Sequence, residues 1–141
     1  HLINLLKIPS NFEILFLQGG ASHQFAMLPM NFAQQKSVDV INTGSWTKKA
    51  IGELKKGYNH HVIATGEEDN FLKLPDLSTV AFNDDSAYTY MCSNNTIFGT
   101  QFKSFPTNTP SPLVASDISQ RLSVFVDTEA VLKSFVLRIL S

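Results

Sequence analysis

The stretch EILFLQGGASHQFAMLPMNF, residues 13–32, restricts the possible folds more than any other part of the chain. From Phe12 to Gln18 the residues are largely apolar, and the run ends at Gly19-Gly20. A short run with little polar face suits a strand covered on both sides, as in a parallel sheet. Ser22 then heads a segment in which Phe25, Leu28, Met30 and Phe32 fall on a helix, and Pro29 predicts a kink or an early stop there. A similar succession follows at 37–57. Val38, Val40 and Asn42 alternate before Gly44, and Trp46, Ala50, Ile51 and Leu54 then share one side of a helix. Ser45 is its expected N-cap, and Gly57 marks its end.

Further strands are expected at 60–66, 87–94 and 113–119, with a small hairpin around Gly99 and a loop at 106–112. His1 to Lys7 has helical spacing and stops at Ile8-Pro9, where proline disfavours helix at the preceding residue. The acidic loop at 66–70 leads into 71–82, whose pattern indicates no element. From Leu122 onward, Val131, Leu132, Phe135, Val136, Ile139 and Leu140 predict a helix. Strands alternating with helices place the chain in the α/β class, whose sheets gather ligands at the carboxyl ends of their strands.

The 141 residues fit one domain with a real core, and a formal net charge of -1 gives no electrostatic case for nucleic acid or an anionic membrane. No uncharged apolar run reaches the roughly 18 residues of a membrane span. Cys92, the single cysteine, excludes an internal disulfide and suits a reducing compartment. The start at His1 has neither an initiator Met nor the layout of a signal peptide, so the chain reads as an intracellular domain, or a piece of one, entered at the end of a helix.

Four strand ends carry the candidate chemistry. Gly19-Gly20-Ala21-Ser22 is either a tight turn or a cradle in which helix N–H groups hold a phosphate. Trp46 suits stacking on a flat ligand or a place in the core. Thr96 suits a ligand hydrogen bond or turn chemistry. Asp117 closes an apolar strand and needs a partner: a protonated ring nitrogen, or the N–H groups of a segment it caps.

In this order and at these separations, the stretches IPSNFEILFLQGGASHQFAMLPMNF, INTGSWTKKAIGELKK, SNNTIFGTQFKSFP and PLVASDIS together resemble phosphoserine aminotransferases, fold-type I enzymes that use pyridoxal 5'-phosphate. The resemblance covers residues 1–119. It implies part of the large-domain sheet, mostly parallel with helices on both faces. It also implies that Ala21 and Ser22 hold the cofactor phosphate, that Trp46 stacks on the pyridine ring, that Thr96 bonds near the phenolic side, and that Asp117 pairs with the ring nitrogen. The implied reaction is amino transfer between phosphoserine and 2-oxoglutarate, with 3-phosphohydroxypyruvate and glutamate as the other pair, in serine biosynthesis. A cytoplasmic homodimer is implied as well, with neither nucleic acid nor membrane as partner.

The departures are specific. Asn95 and Phe98 stand where the family motif has glutamates. The Ala-Gly-Ala-Gln-Lys-Asn motif, whose lysine forms the Schiff base, is absent, so no catalytic residue is assigned and the chain alone is expected to be inactive. Lys133 lies too early and in the wrong context. Residues 120–141 are expected to be a divergent helical tail, and the small carboxy-terminal domain is expected to be missing. The alternatives are a truncated, non-catalytic or pseudogene-like product, and a generic phosphate-binding α/β module.

Overall fold

The computed structural model describes residues 3–4, 10, 13–17, 20–117, 122–127 and 135–139. In chain order the elements are β1 (Glu13–Leu17), α1 (Ala21–Leu28), β2 (Val38–Asn42), α2 (Ser45–Leu54), β3 (His60–Thr65), β4 (Tyr88–Asn95), β5 (Thr100–Gln101), β6 (Leu113–Asp117), β7 (Leu122–Asp127) and β8 (Phe135–Ile139). All eight strands form one sheet in the order β1-β8-β7-β6-β4-β2-β3, with β5 attached to β4. β2 pairs in parallel with β3 and β4, β4 with β6, and β1 with β8; β5 and β7 run the other way. The fold is therefore a mostly parallel α/β sheet, as expected.

β2 is buried along its whole length, which is why its sequence has no polar face. Its side chains still alternate between two layers. Val38 and Val40, with Tyr88, Tyr90 and Val114, meet Phe25 and Leu28 of α1 and Ala50, Ile51 and Leu54 of α2. Ile41, Met91, Leu113 and Ala115 point the other way, toward Leu77, Phe82 and Phe102. Both helices thus lie on one face. The second helical layer implied by the resemblance is not among the described elements, and irregular chain covers that face instead.

Pro29 does interrupt α1. The chain continues as a wider π turn, Pro29–Ala33, a geometry that relieves the clash between a proline ring and the preceding turn. Gly57 (φ 159) ends the second helix as expected, with Tyr58 N–H donating to the Leu54 carbonyl at 2.8 Å. The 71–82 segment is mostly irregular, with one short turn, Leu77–Thr79, capped by Asp76. Ile3 and Asn4 have helical backbone; the rest of the expected first helix lies outside the described residues.

The expected helix from Leu122 onward is corrected: Leu122–Asp127 and Phe135–Ile139 are strands. β7 lies antiparallel to β6, and β8 sits between β7 and β1. Val124, Val126 and Val136 favour extended backbone, and β1 offers β8 a partner that no local spacing announces.

Burial holds the phenols of Tyr88 and Tyr90 well above the ordinary tyrosine range; Tyr58 adds to this at Tyr88, and Cys92 adds to it at Tyr90. Tyr90 also shares a 2.7 Å hydrogen bond with Ser116. Both phenols stay neutral in the fold, so their contribution is complete below the unfolded value of about 10 and is lost as pH rises above it. Urea midpoints should stay flat with respect to these groups up to about pH 9 and then fall. The alkaline slope should be shallower in Tyr90→Phe, measured by circular dichroism across the same pH series.

Candidate functional site

β1, β2, β4 and β6 run in one direction and bring their carboxyl ends to one edge of the sheet. Ala21 and Ser22 follow β1, Trp46 follows β2, Thr96 follows β4, and Asp117 closes β6. All five candidate residues therefore share this edge.

At the first turn Gly20 is extended (φ -87, ψ -179), and helix α1 begins at Ala21. No side chain caps the helix, and His23 N–H turns back to the Gly20 carbonyl at 3.0 Å. A Cβ built on Gly20 would meet nothing within 4 Å, so the space above the turn is open. Ser22 is exposed there. The side chain of Ala21 lies outside the described residues.

The second turn is tightly built. Gly44, at φ +142, takes the N-cap position that the sequence assigned to Ser45, which becomes the first helical residue. Such a φ suits glycine, so the serine hydroxyl is not needed there. Gly44 N–H donates to Asn42 Oδ1 at 3.3 Å, and Thr43 Oγ1 lies 3.2 Å from Thr47 Oγ1. Trp46 is half-buried against the helical layer, with the Lys49 ammonium 4.3 Å from its ring centroid. It thus belongs partly to the core and partly to the open edge.

The third turn is the expected hairpin. Phe98 and Gly99 N–H donate to the Asn95 carbonyl at 3.2 and 2.9 Å, and β5 returns along β4. Thr96 is exposed at its head, whereas Asn95 is 1% exposed and its Nδ2 donates to the Thr43 carbonyl. Phe98 packs on Phe71 with ring centroids 5.3 Å apart. The Lys48 ammonium sits 4.9 Å from the Phe71 centroid and 2.6 Å from Glu67 Oε1.

At the fourth turn the backbone of Asp117 lies opposite Asn94. What its carboxylate contacts lies outside the described residues. Ser93 Oγ donates to the Ser116 carbonyl at 3.1 Å, tying β4 to β6 just before that point.

Five buried side-chain atoms lack a hydrogen-bond partner among the described residues: Gln24 Nε2, Asp39 Oδ1, Trp46 Nε1, Asn95 Oδ1 and Thr100 Oγ1. Asp39 lies toward the amino end of β2. The other four belong to segments at the carboxyl edge. Buried polar atoms are normally paired, so this concentration singles out the carboxyl edge among the described residues. A separate cavity of about 450 Å³ lies between 74–78 and 102–108 and contains none of the five candidate residues. Its Asp76 already accepts from the Ser78 N–H and hydroxyl, which holds its carboxyl below the usual range.

Sequence reasoning named Asn95 and Phe98 only as departures and gave Gly44 no role beyond ending a strand. The signal was the run of glycine, serine and aromatic residues after β2, opposite an asparagine after β4.

A phosphoserine aminotransferase from Bacillus subtilis (strain 168) is 48% identical over 127 residues, 89% of this chain and 35% of that protein. One from Campylobacter jejuni subsp. jejuni serotype O:2 is 47% identical over 124 residues, 87% and 34% respectively. This chain is homologous to about one third of phosphoserine aminotransferase. Among solved structures, the phosphoserine aminotransferase of Bacillus circulans subsp. alkalophilus superposes with a TM-score of 0.76 at 43% identity, covering 81% of this chain and 32% of that one. The pyridoxal phosphate-bound enzyme of Trichomonas vaginalis gives 0.70 at 40% identity, covering 81% and 32%. No protein-family model matches the chain. The similarity to phosphoserine aminotransferases takes in most of the described sheet.

Two glycines of this segment should respond oppositely to the same substitution. A Cβ on Gly44 would overlap the Asn95 amide and press on Phe98 Cδ2 at 2.9 Å, in a backbone conformation that L-residues avoid. Gly44→Ala should cost about 3 kcal/mol. Gly52, exposed within α2 with nothing within 4 Å, should gain about 0.5–1 kcal/mol as Gly52→Ala. Urea denaturation of both variants checks the contrast.

Proposed function

We propose that this chain forms the cofactor-holding part of a phosphoserine aminotransferase that uses pyridoxal 5'-phosphate. The observation that carries this reading is that Ala21, Ser22, Trp46, Thr96 and Asp117 all stand at carboxyl ends of strands on one edge of the sheet, within a segment homologous to those enzymes. The residues suit the group. The uncapped first turn of α1 offers N–H donors and a hydroxyl beneath open space, which fits a phosphate. Trp46 Nε1 and Asn95 Oδ1, both buried and without a partner among the described residues, offer a donor and an acceptor at the carboxyl edge of β2 and β4.

Pyridoxal phosphate held here supplies an electron sink for amino transfer between phosphoserine and 2-oxoglutarate. Ala21 and Ser22 bind its phosphate. Trp46 would stack on the pyridine ring and exclude water from that face. Thr96 donates near the phenolic side. Asp117 holds a proton on the ring nitrogen, because a carboxylate there favours the charged ring. The chain spans about a third of the length of the curated relatives it matches, so the substrate-binding groups of a whole enzyme belong to this proposal and not to the described edge. We assign the protein to the cytoplasm as a homodimer on the same resemblance. None of the described helices is long and apolar enough to cross a membrane.

The sequence contains no Gln-Lys-Asn triplet, and Lys133 lies outside the described residues. The 141 residues therefore hold the cofactor without a covalent bond in this reading. Trp46 is the single tryptophan, so its emission reports binding directly. Pyridoxal phosphate should quench it saturably. Ser22→Ala should weaken binding about fivefold and Asp117→Asn about twentyfold, the ranges for one neutral and one charge-assisted hydrogen bond. Borohydride treatment followed by mass spectrometry should leave no lysine labelled stoichiometrically. Absence of saturable quenching would overturn the cofactor assignment, and stoichiometric labelling of Lys133 would overturn the non-covalent one.

A further inference from the structure

We propose that Asn95 is a positioning residue: its amide locks the Thr43–Gly44 turn against the end of β4 and thereby sets the Trp46 ring. The proposal rests on the cofactor reading for its purpose but not for its geometry. The Thr43 carbonyl lies just beyond the paired part of β2, where no neighbouring strand supplies an N–H in the ladder. A buried carbonyl left unpaired is costly, and the Asn95 Nδ2 donor covers it. The turn is held from the other side as well. Gly44 passes so close to the Asn95 amide and the Phe98 ring that no Cβ fits, and Phe98 is backed by Phe71. Two residues after Gly44 comes Trp46, inside the first helical turn that Lys48 N–H closes on the Gly44 carbonyl at 2.9 Å. Fixing that turn fixes the Trp46 backbone, and its half-buried ring packs from there against the helical layer.

The chemistry demanded at position 95 is a donor. Asparagine provides two N–H groups, whereas an ionised carboxylate of the same shape only accepts and would face the Thr43 carbonyl with like partial charge. Asn95→Asp is therefore the informative variant, since it keeps volume and removes the donor. Protonation returns an O–H, so the lost function should be restored in acid. Relief of the buried charge would add to this reversal, so Asn95→Leu, neutral at every pH and without a donor, separates the two: its impairment marks the missing donor, and wild-type behaviour in Asn95→Leu overturns it.

Acrylamide quenching of Trp46 in the ligand-free chain reads the turn alone. At pH 7.5 the quenching constant of Asn95→Asp should rise about twofold over wild type, and the dissociation constant for pyridoxal phosphate about tenfold, as expected for one lost donor to a buried acceptor. At about pH 5, where a buried aspartic acid regains its proton, both should return toward wild type measured at the same pH. Asn95→Ala, with no proton to regain, should be impaired at both values. Should Asn95→Asp fail to fold at neutral pH, refolding it at about pH 5 gives the same reading, since recovery of the wild-type quenching constant there supports the donor role. Unchanged acrylamide access in both variants overturns the clamp, as does equal impairment of Asn95→Asp at the two pH values. Altered access with unchanged pyridoxal phosphate affinity overturns its purpose. If wild type itself shows no saturable quenching by pyridoxal phosphate, the cofactor reading fails while the acrylamide comparison still decides the clamp.

Discussion

The parallel pairing of β2 with β4, and of β4 with β6, is the constraint on which the rest of this structure depends. Val38 lies opposite Tyr88 and Ile41 opposite Met91, so β4 runs on past the end of β2 at Asn42 and carries Asn95 beyond it. Period-two alternation then divides their side chains between a helical layer and a layer of irregular chain. A slip of one residue would exchange the two sets. Val40 and Tyr90 would leave the helices, and Asp39, buried with a 2.8 Å hydrogen bond from Asn83 N–H, would be driven into them. The register that buries the core is the one that brings Thr43, Gly44 and Asn95 within reach of each other.

Strand ends leave backbone and side-chain polar groups without ladder partners, and the carboxyl edge meets this problem unevenly. Thr43 finds Thr47, Ser93 finds the Ser116 carbonyl, and Tyr90 finds the Ser116 hydroxyl. Gln24, Trp46, Asn95 and Thr100 each keep one buried atom without a partner among the described residues. Asp39, toward the other end of β2, keeps one as well, so the carboxyl edge holds most of these atoms among the described residues but not all of them.

Much of this was legible in the sequence because local patterns and tertiary demands agree there. Val38 to Asn42 reads as an alternating strand and is a strand, buried throughout, and Gly57 ends a helix at a positive φ. The run at 12–18 that reads as covered on both sides, by contrast, leaves Leu15 and Phe16 exposed. Legibility failed where distant parts decide. The spacing of Phe135, Val136 and Ile139 suits a helix as well as a strand, and pairing with β1, from the opposite end of the chain, selects the strand. Ser45 has the chemistry of a cap, but Gly44 already occupies the position in a conformation forced by Asn95 and Phe98. The five site residues stood at recognisable strand ends. Asn95 stands at one too, at the close of β4, but its task was not legible, because it holds a carbonyl of another strand and nothing in a linear pattern names that partner.

The identities at 95 and 98 bear on how the edge would treat an anion. Where the resembling motif carries carboxylates, this chain has an amide and a phenyl ring. In the proposed reading, carboxylates at 95 and 98 would add negative charge to an edge that takes an anionic cofactor, and such repulsion grows as water is excluded. An amide and a ring carry no net charge, and they fix Gly44 by hydrogen bonding and packing. Lys48 is paired with Glu67 and lies on the face of Phe71, and Lys49 lies over the Trp46 ring. In the proposed reading, the attraction for a phosphate at the first turn of α1 is that of oriented N–H groups and a hydroxyl. Such dipoles are anchored to backbone rather than carried on flexible chains, so recognition here depends on geometry more than on charge. That is why the setting of one turn, held by one asparagine, matters to a ligand that the asparagine itself need not neutralise.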